Sequence, residues 1–147
     1  MSHDVAVSEL NVGEFLAALG ERTPTPASGA ATAITGAFAA RLVELAARFA
    51  QDEAAVSRAK ALSTRLTQLA DEDADAYRAL METGSEEARR RTIEVPLEIA
   101  ANADDVERLA GQVGTQLTSS VAGDAEAAEE LARAAARVAR RLAELNA

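Results

Sequence analysis

The chain has 147 residues, 48% of them hydrophobic and 3% aromatic, with 24 acidic side chains against 15 basic ones and a formal net charge of −9. That length buries one core rather than two, the abundance of Ala, Leu, Arg and Glu favours helix over sheet, and the negative field argues against nucleic acid or anionic lipid as a partner. With no cysteine, and His3 as the one histidine, thiolate chemistry, disulfides and a histidine relay drop out, so any catalysis rests on carboxylates, hydroxyls, amides and arginines, without a metal.

Residues 1–10 read as a flexible tail ahead of a single helical domain over 11–147. Asn11 and Glu14 have the spacing of a capping box for a short helix that ends near Gly20. "ERTPTPA" follows as a turn, because each residue before a proline is pushed out of the helical region. A second helix is predicted from Ser28 to Ala50 and a third from Glu53 to Thr83, closed by Gly84. The third carries Ala59, Leu62, Leu66 and Leu69 in steps of three and four, then, seven on, Ala76 and Leu80, a seam for burial. Ser85 is expected to cap the next helix, which Pro96 should kink or divide, leaving a further helical piece after Asn102. "GTQLTSSVAG" reads as loop, and the last helix is predicted from Asp124 with a seam of Ala128, Leu131, Ala135, Val138, Leu142 and Leu145. The fold class is therefore all-α, an antiparallel multi-helix bundle that dimerises through its long helices. The longest uncharged run, Thr23 to Ala40, holds two prolines and is too weak for a membrane span, so a cytoplasmic protein is expected.

Three features bear on function. Extending the seam from Leu69 by four lands on Asp73, so a carboxylate stands where the pattern reserves a core position, which is costly without a partner or a polar cavity. Either Asp73 pairs with an arginine or turns outward with Asp71, Glu72 and Asp75, or it is a functional acid of raised pKa, with Tyr77 one turn on either closing a pocket or simply filling core. At the start of the second helix, Gly29, Ala33, Gly36 and Ala40 form a stripe of small residues beside Ser28 and Thr32, with Thr25 in the preceding turn. Free N–H groups and hydroxyls there suit a carboxylate or amide oxygen of a ligand; the plainer reading is close helix packing with Ser28 as a cap. Asp124 reads first as an N-cap, and Arg89, Arg90 and Arg91 as a solvated face or a site for an anionic tail.

Together these pieces resemble the formiminotetrahydrofolate cyclodeaminase and methenyltetrahydrofolate cyclohydrolase family. The resemblance rests on "FLAALGERTPTPASGAATAITGAF" against the family's F-x-x-x-L-A and P-T-P-G-G-G-S-A-A-A, then on Asp73, Ala76 and Tyr77 against D-x-x-A-F/Y, Pro96 with Leu97, and Asp124 with Ala125. It implies an all-helical, dimeric, folate-dependent one-carbon enzyme, acting on a tetrahydrofolate derivative either by ring closure of a formimino group with loss of ammonia or by hydrolysis of a methenyl bridge. On that resemblance Asp73 and then Asp124 are the catalytic residues, and Thr25, Ser28, Gly29, Thr32, Tyr77 and Arg91 hold the folate. Ala27 and Ser28 stand where the family has glycines, and "GTQL" where it has G-N-x-N, so a non-catalytic binding or assembly module of the same fold is the second reading.

Overall fold

A computed structural model describes residues 5–118 and 120–147; His3, with the rest of the first four residues, and Ser119 lie outside the described residues. Described residues form a 3₁₀ turn, Val7–Glu9, and five helices: α1 Val12–Leu19, α2 Ser28–Phe49, α3 Glu53–Thr83, α4 Glu86–Gly114 and α5 Val121–Asn146. Helix ends follow local chemistry. Asn11 and Glu14 make a full capping box, and Asp52 and Ser85 accept from the backbone N–H groups of Ala55 and Ala88. Gly84 ends α3 at φ 61°, a left-handed conformation that suits a residue without Cβ, and its N–H donates to Leu80 O.

α2 to α5 form an antiparallel four-helix bundle in which each helix packs on its chain neighbour, α5 closes onto α2, and α2 also meets α4 across the diagonal; α1 stands off to one side. Leu62, Leu66 and Leu69 of α3, Val43 of α2, and Val95, Ile99, Val106 and Val113 of α4 supply the bulk of the core. Alanines of α2 and α5 supply the close approach. A Cβ on Gly36 would lie 3.2 Å from Leu66 Cδ1, so α2 and α3 meet closely there and an added methyl group would press on that leucine. α2 is long and apolar enough to cross a bilayer by length and composition, but 56% of that window is buried inside the bundle, as befits its central helix.

Four expectations change. α4 runs unbroken through Pro96 and Asn102. Pro96 has no N–H to offer Thr92 O, and the Asn146 amide at the end of α5 donates to that carbonyl instead, at 2.9 Å. Asn102 Nδ2 likewise donates to Glu98 O at 2.9 Å, within the helix rather than at a new start. α5 begins at Val121, which puts Asp124 in its first turn, beside the positive end of the helix dipole, rather than at the cap. The buried face of α5 is Ala125, Ala128, Ala132, Ala135, Ala136, Ala139 and Ala143, while Leu131, Val138 and Leu145 are exposed, because small side chains let α5 sit close on α4 and α2. Of the stretch read as a tail, the described part is docked: Val7 is buried and the Ser8 N–H donates to Asp71 Oδ1 at 3.1 Å.

Candidate functional site

The site forms where the start of α2 meets the second half of α3. Ala27 is the N-cap of α2 and has no side-chain oxygen to offer, so Ser28 opens the helix at its first position instead of capping it. The first backbone bond of α2 runs from Ala31 N–H to Ala27 O, leaving the N–H groups of Ser28, Gly29 and Ala30 without intrahelical acceptors. Thr32 spends its hydroxyl hydrogen on Ser28 O at 2.6 Å, keeping its lone pairs to accept. Thr25 is buried in the turn, its carbonyl receiving the Thr23 hydroxyl at 3.2 Å.

Asp73 comes to this helix start from α3. Its carboxylate lies directly over Gly29, in the space that a side chain at that position would occupy: a Cβ built there would overlap both carboxylate oxygens and Cγ. Glycine at position 29 is thus a requirement of the acid opposite, a close approach that only a residue without Cβ permits. Among the described residues no group donates a hydrogen bond to Asp73, and no cation pairs with it. Burial pushes its pKa up from 3.8 to about 6. Of the alternatives left open by the sequence, the arginine partner is absent and the outward rotation did not occur.

Tyr77 sits one turn beyond Asp73 and is exposed, so it is not core. Arg91 is engaged elsewhere: its guanidinium pairs with Glu72, which also accepts from Arg65, and Arg65 donates to Glu98 at 2.6 Å, giving a charged lattice that ties α3 to α4. This lattice escaped the sequence reading, since nothing in spacing shows which carboxylate an arginine will meet across two helices. Asp124 lies at the opposite end of the bundle. Gln116 donates to Asp52 at 3.0 Å, which fixes the start of α5 beside the α2–α3 turn, whereas Gly29 is at the other end of α2, about 30 Å away at 1.5 Å per residue. Among the described residues no group of three Asp, Glu or His side chains is arranged to hold a metal ion.

What this corner can do follows from its parts. It brings together the first turn of α2, where Ser28 is exposed and Gly29 and Ala30 are buried, a threonine oxygen that can accept, and a carboxyl whose pKa burial raises to about 6, a set suited to attracting a cation and exchanging a proton near neutrality. No protein among those with curated functions matches the chain. A solved structure, formiminotetrahydrofolate cyclodeaminase from Thermotoga maritima, superposes on 95% of this chain and 79% of its own, with TM-score 0.90 and 25% identity. The family model for formiminotransferase-cyclodeaminase matches residues 11–147, nearly the whole chain, and the protein accordingly belongs to that family.

Proposed function

We propose that the chain is a folate-dependent one-carbon enzyme of the cyclodeaminase or methenyltetrahydrofolate cyclohydrolase type, acting on a C–N bond of a formimino- or methenyl-tetrahydrofolate with Asp73 as its acid–base group. The observation that carries this is the unpartnered Asp73 carboxylate seated on Gly29 at the open start of α2. A methenyl bridge between two nitrogens is an amidinium-like cation, and a carboxylate in a poorly solvated corner stabilises such a charge more than water does. In hydrolysis the same carboxylate takes a proton from the attacking water; in ring closure its protonated form gives one to the departing ammonia. A pKa near neutrality serves both directions. The exposed Ser28 N–H at the start of α2, with Thr25 beside it, would hold an acceptor oxygen of the folate, the Thr32 hydroxyl oxygen would accept from a donor of the ligand, Gly29 would leave room for the close approach, and Tyr77 would cover a flat ring.

Asp124 enters this reading only if another copy brings it near, and Arg91 only by leaving Glu72 for the ligand's carboxylate. The protein is read as cytoplasmic and as one half of a homodimer, with no metal in the reaction. Replacing Asp73 by Asn is expected to abolish the decay of methenyltetrahydrofolate absorbance while leaving the helical circular dichroism unchanged. Undiminished turnover would remove Asp73 from the chemistry.

The second reading, a non-catalytic binding module, is favoured by one feature, the side chains of Ala27 and Ser28 at the rim where the family's glycines give open backbone. Calorimetric titration separates the two: no heat with any folate, together with a stable dimer, supports the module.

A further inference from the structure

Asp73 has no cation, yet two arginines end on the carboxylate beside it in the chain. Glu72 accepts from Arg65 at 2.5 Å and from Arg91, so both of its oxygens are engaged. Arg65 has a second acceptor in Glu98 at 2.6 Å. Among the described residues Arg91 has no other carboxylate within hydrogen-bond distance, since Glu94 lies 3.9 Å away. Glu72 faces α4, while Asp73 stands one residue further round α3, over Gly29 of α2; because α2 also meets α4 across the diagonal, α4 borders both carboxylates. Consecutive Cα atoms are about 3.8 Å apart, a step that a long arginine side chain covers by changing rotamer.

We propose that Glu72 is a positioning residue for this site: it holds Arg91 away from Asp73 and so keeps that acid unpaired. The other charges around Asp73 are paired or turned to solvent. On α3 itself, Asp71 accepts the Ser8 N–H and Asp75 pairs with Arg78 at 2.8 Å. α2 carries no charged residue before Arg41. On α4, Glu87, Arg89, Arg90 and Glu94 are exposed, and at the end of α5 Arg141 and Glu144 pair with each other at 3.1 Å. Glu9 of the 3₁₀ turn and Glu21 and Arg22 in the turn before α2 are exposed as well. Arg65 keeps Glu98 whatever becomes of Glu72, so Arg91 is the cation that loss of Glu72 sets free. A guanidinium beside a carboxyl lowers its pKa by about 1–3, enough to cancel what burial adds at Asp73. It would also cover the oxygens that a proton transfer needs. The second carboxylate, one residue from the first, thus acts through the arginine that it detains.

The consequence for catalysis rests on the reading of Asp73 as the acid–base group, but the arrangement is tested without folate. Carboxyl-carbon NMR of the full chain, labelled at aspartate and with the Asp73 signal identified by its loss in Asp73→Asn, reads the protonation of that group directly. At pH 5 it should be about nine-tenths protonated in the wild type. Glu72→Gln should leave it ionised at pH 5, its midpoint lower by about two pH units, and the acid fall in kcat/KM for methenyl hydrolysis should move down by about the same amount. Adding Arg91→Gln to Glu72→Gln should restore the wild-type titration. Glu98→Gln, which loosens the same lattice but leaves Glu72 holding both arginines, should not disturb it. An Asp73 still half protonated or more at pH 5 in Glu72→Gln overturns the proposal, because loss of a screened neighbouring charge explains that much without any contact. So does a double variant that stays ionised, or a Glu98→Gln chain that behaves like Glu72→Gln. A chain inert toward every folate removes the reading above, and the titration still decides this one.

Discussion

Asp73→Asn should make the protein more stable at neutral pH, and the size of the gain can be worked from its surroundings. Burial raises the Asp73 pKa from 3.8 to about 6, with no cation or donor to offset it. The folded state therefore holds this proton to higher pH than the unfolded chain does, so stability falls as pH rises from about 4 to about 6, and the penalty is complete above that. That interval corresponds to about 2–3 kcal/mol. An amide of nearly the same shape carries no charge to desolvate, so the variant escapes the penalty. With a urea slope near 2 kcal/mol/M for a chain of this size, the midpoint at pH 7.5 should rise by on the order of 1 M, and the difference from wild type should vanish by about pH 4. Urea titrations followed by circular dichroism at both pH values measure it. Coincident midpoints at pH 7.5, or a gap of the same size at pH 4, would refute the claim that Asp73 is an uncompensated, partly desolvated acid. A position that costs stability in its charged form is what a site retained for chemistry looks like.

Three further outcomes follow from the same geometry. Gly29→Ala should destabilise wild type by about 1–3 kcal/mol, because its methyl group displaces the Asp73 carboxylate, yet stabilise an Asp73→Ala background by about 0.5–1 kcal/mol through helix propensity; equal effects in both backgrounds, measured by urea unfolding, would show that the two residues do not touch. Asn146→Ala should cost about 1–3 kcal/mol by stranding the Thr92 carbonyl that Pro96 cannot serve, and Pro96→Ala, which restores an N–H to that carbonyl, should erase most of the loss; a cost that persists in the double variant counts against the repair. If Asp73 acts as a base, kcat/KM for methenyl hydrolysis should drop about tenfold per pH unit below pH 6 and flatten above it, and a profile level down to pH 5 assigns the base elsewhere.

Much of this molecule is local chemistry written along the chain. The Asn11 and Glu14 box, the Asp52 and Ser85 caps and the left-handed Gly84 depend on groups within four residues of one another, so the helix ends could be read directly. A leucine seam at three- and four-residue steps says which face of α3 is buried, and Asp73 stood out because a charge interrupts that arithmetic. Which neighbour a face meets is a different matter. Periodicity on α5 pointed to a mixed seam; its Ala128 and Ala135 are buried, but Leu131, Val138 and Leu145 are not, because alanines allow closer approach to α2 and α4. Pro96 looked like a break because its missing donor is local, whereas the amide that replaces it arrives from the far end of the chain. Asp124, the second catalytic residue that the resemblance implied, lies at the other end of the bundle from Asp73, because antiparallel packing puts the start of α5 beside the α2–α3 turn. Composition and spacing determined a helical bundle with one misplaced acid; only the tertiary structure decided that the acid rests on Gly29, since contact between distant segments depends on which surfaces fit, and no single helix carries that information.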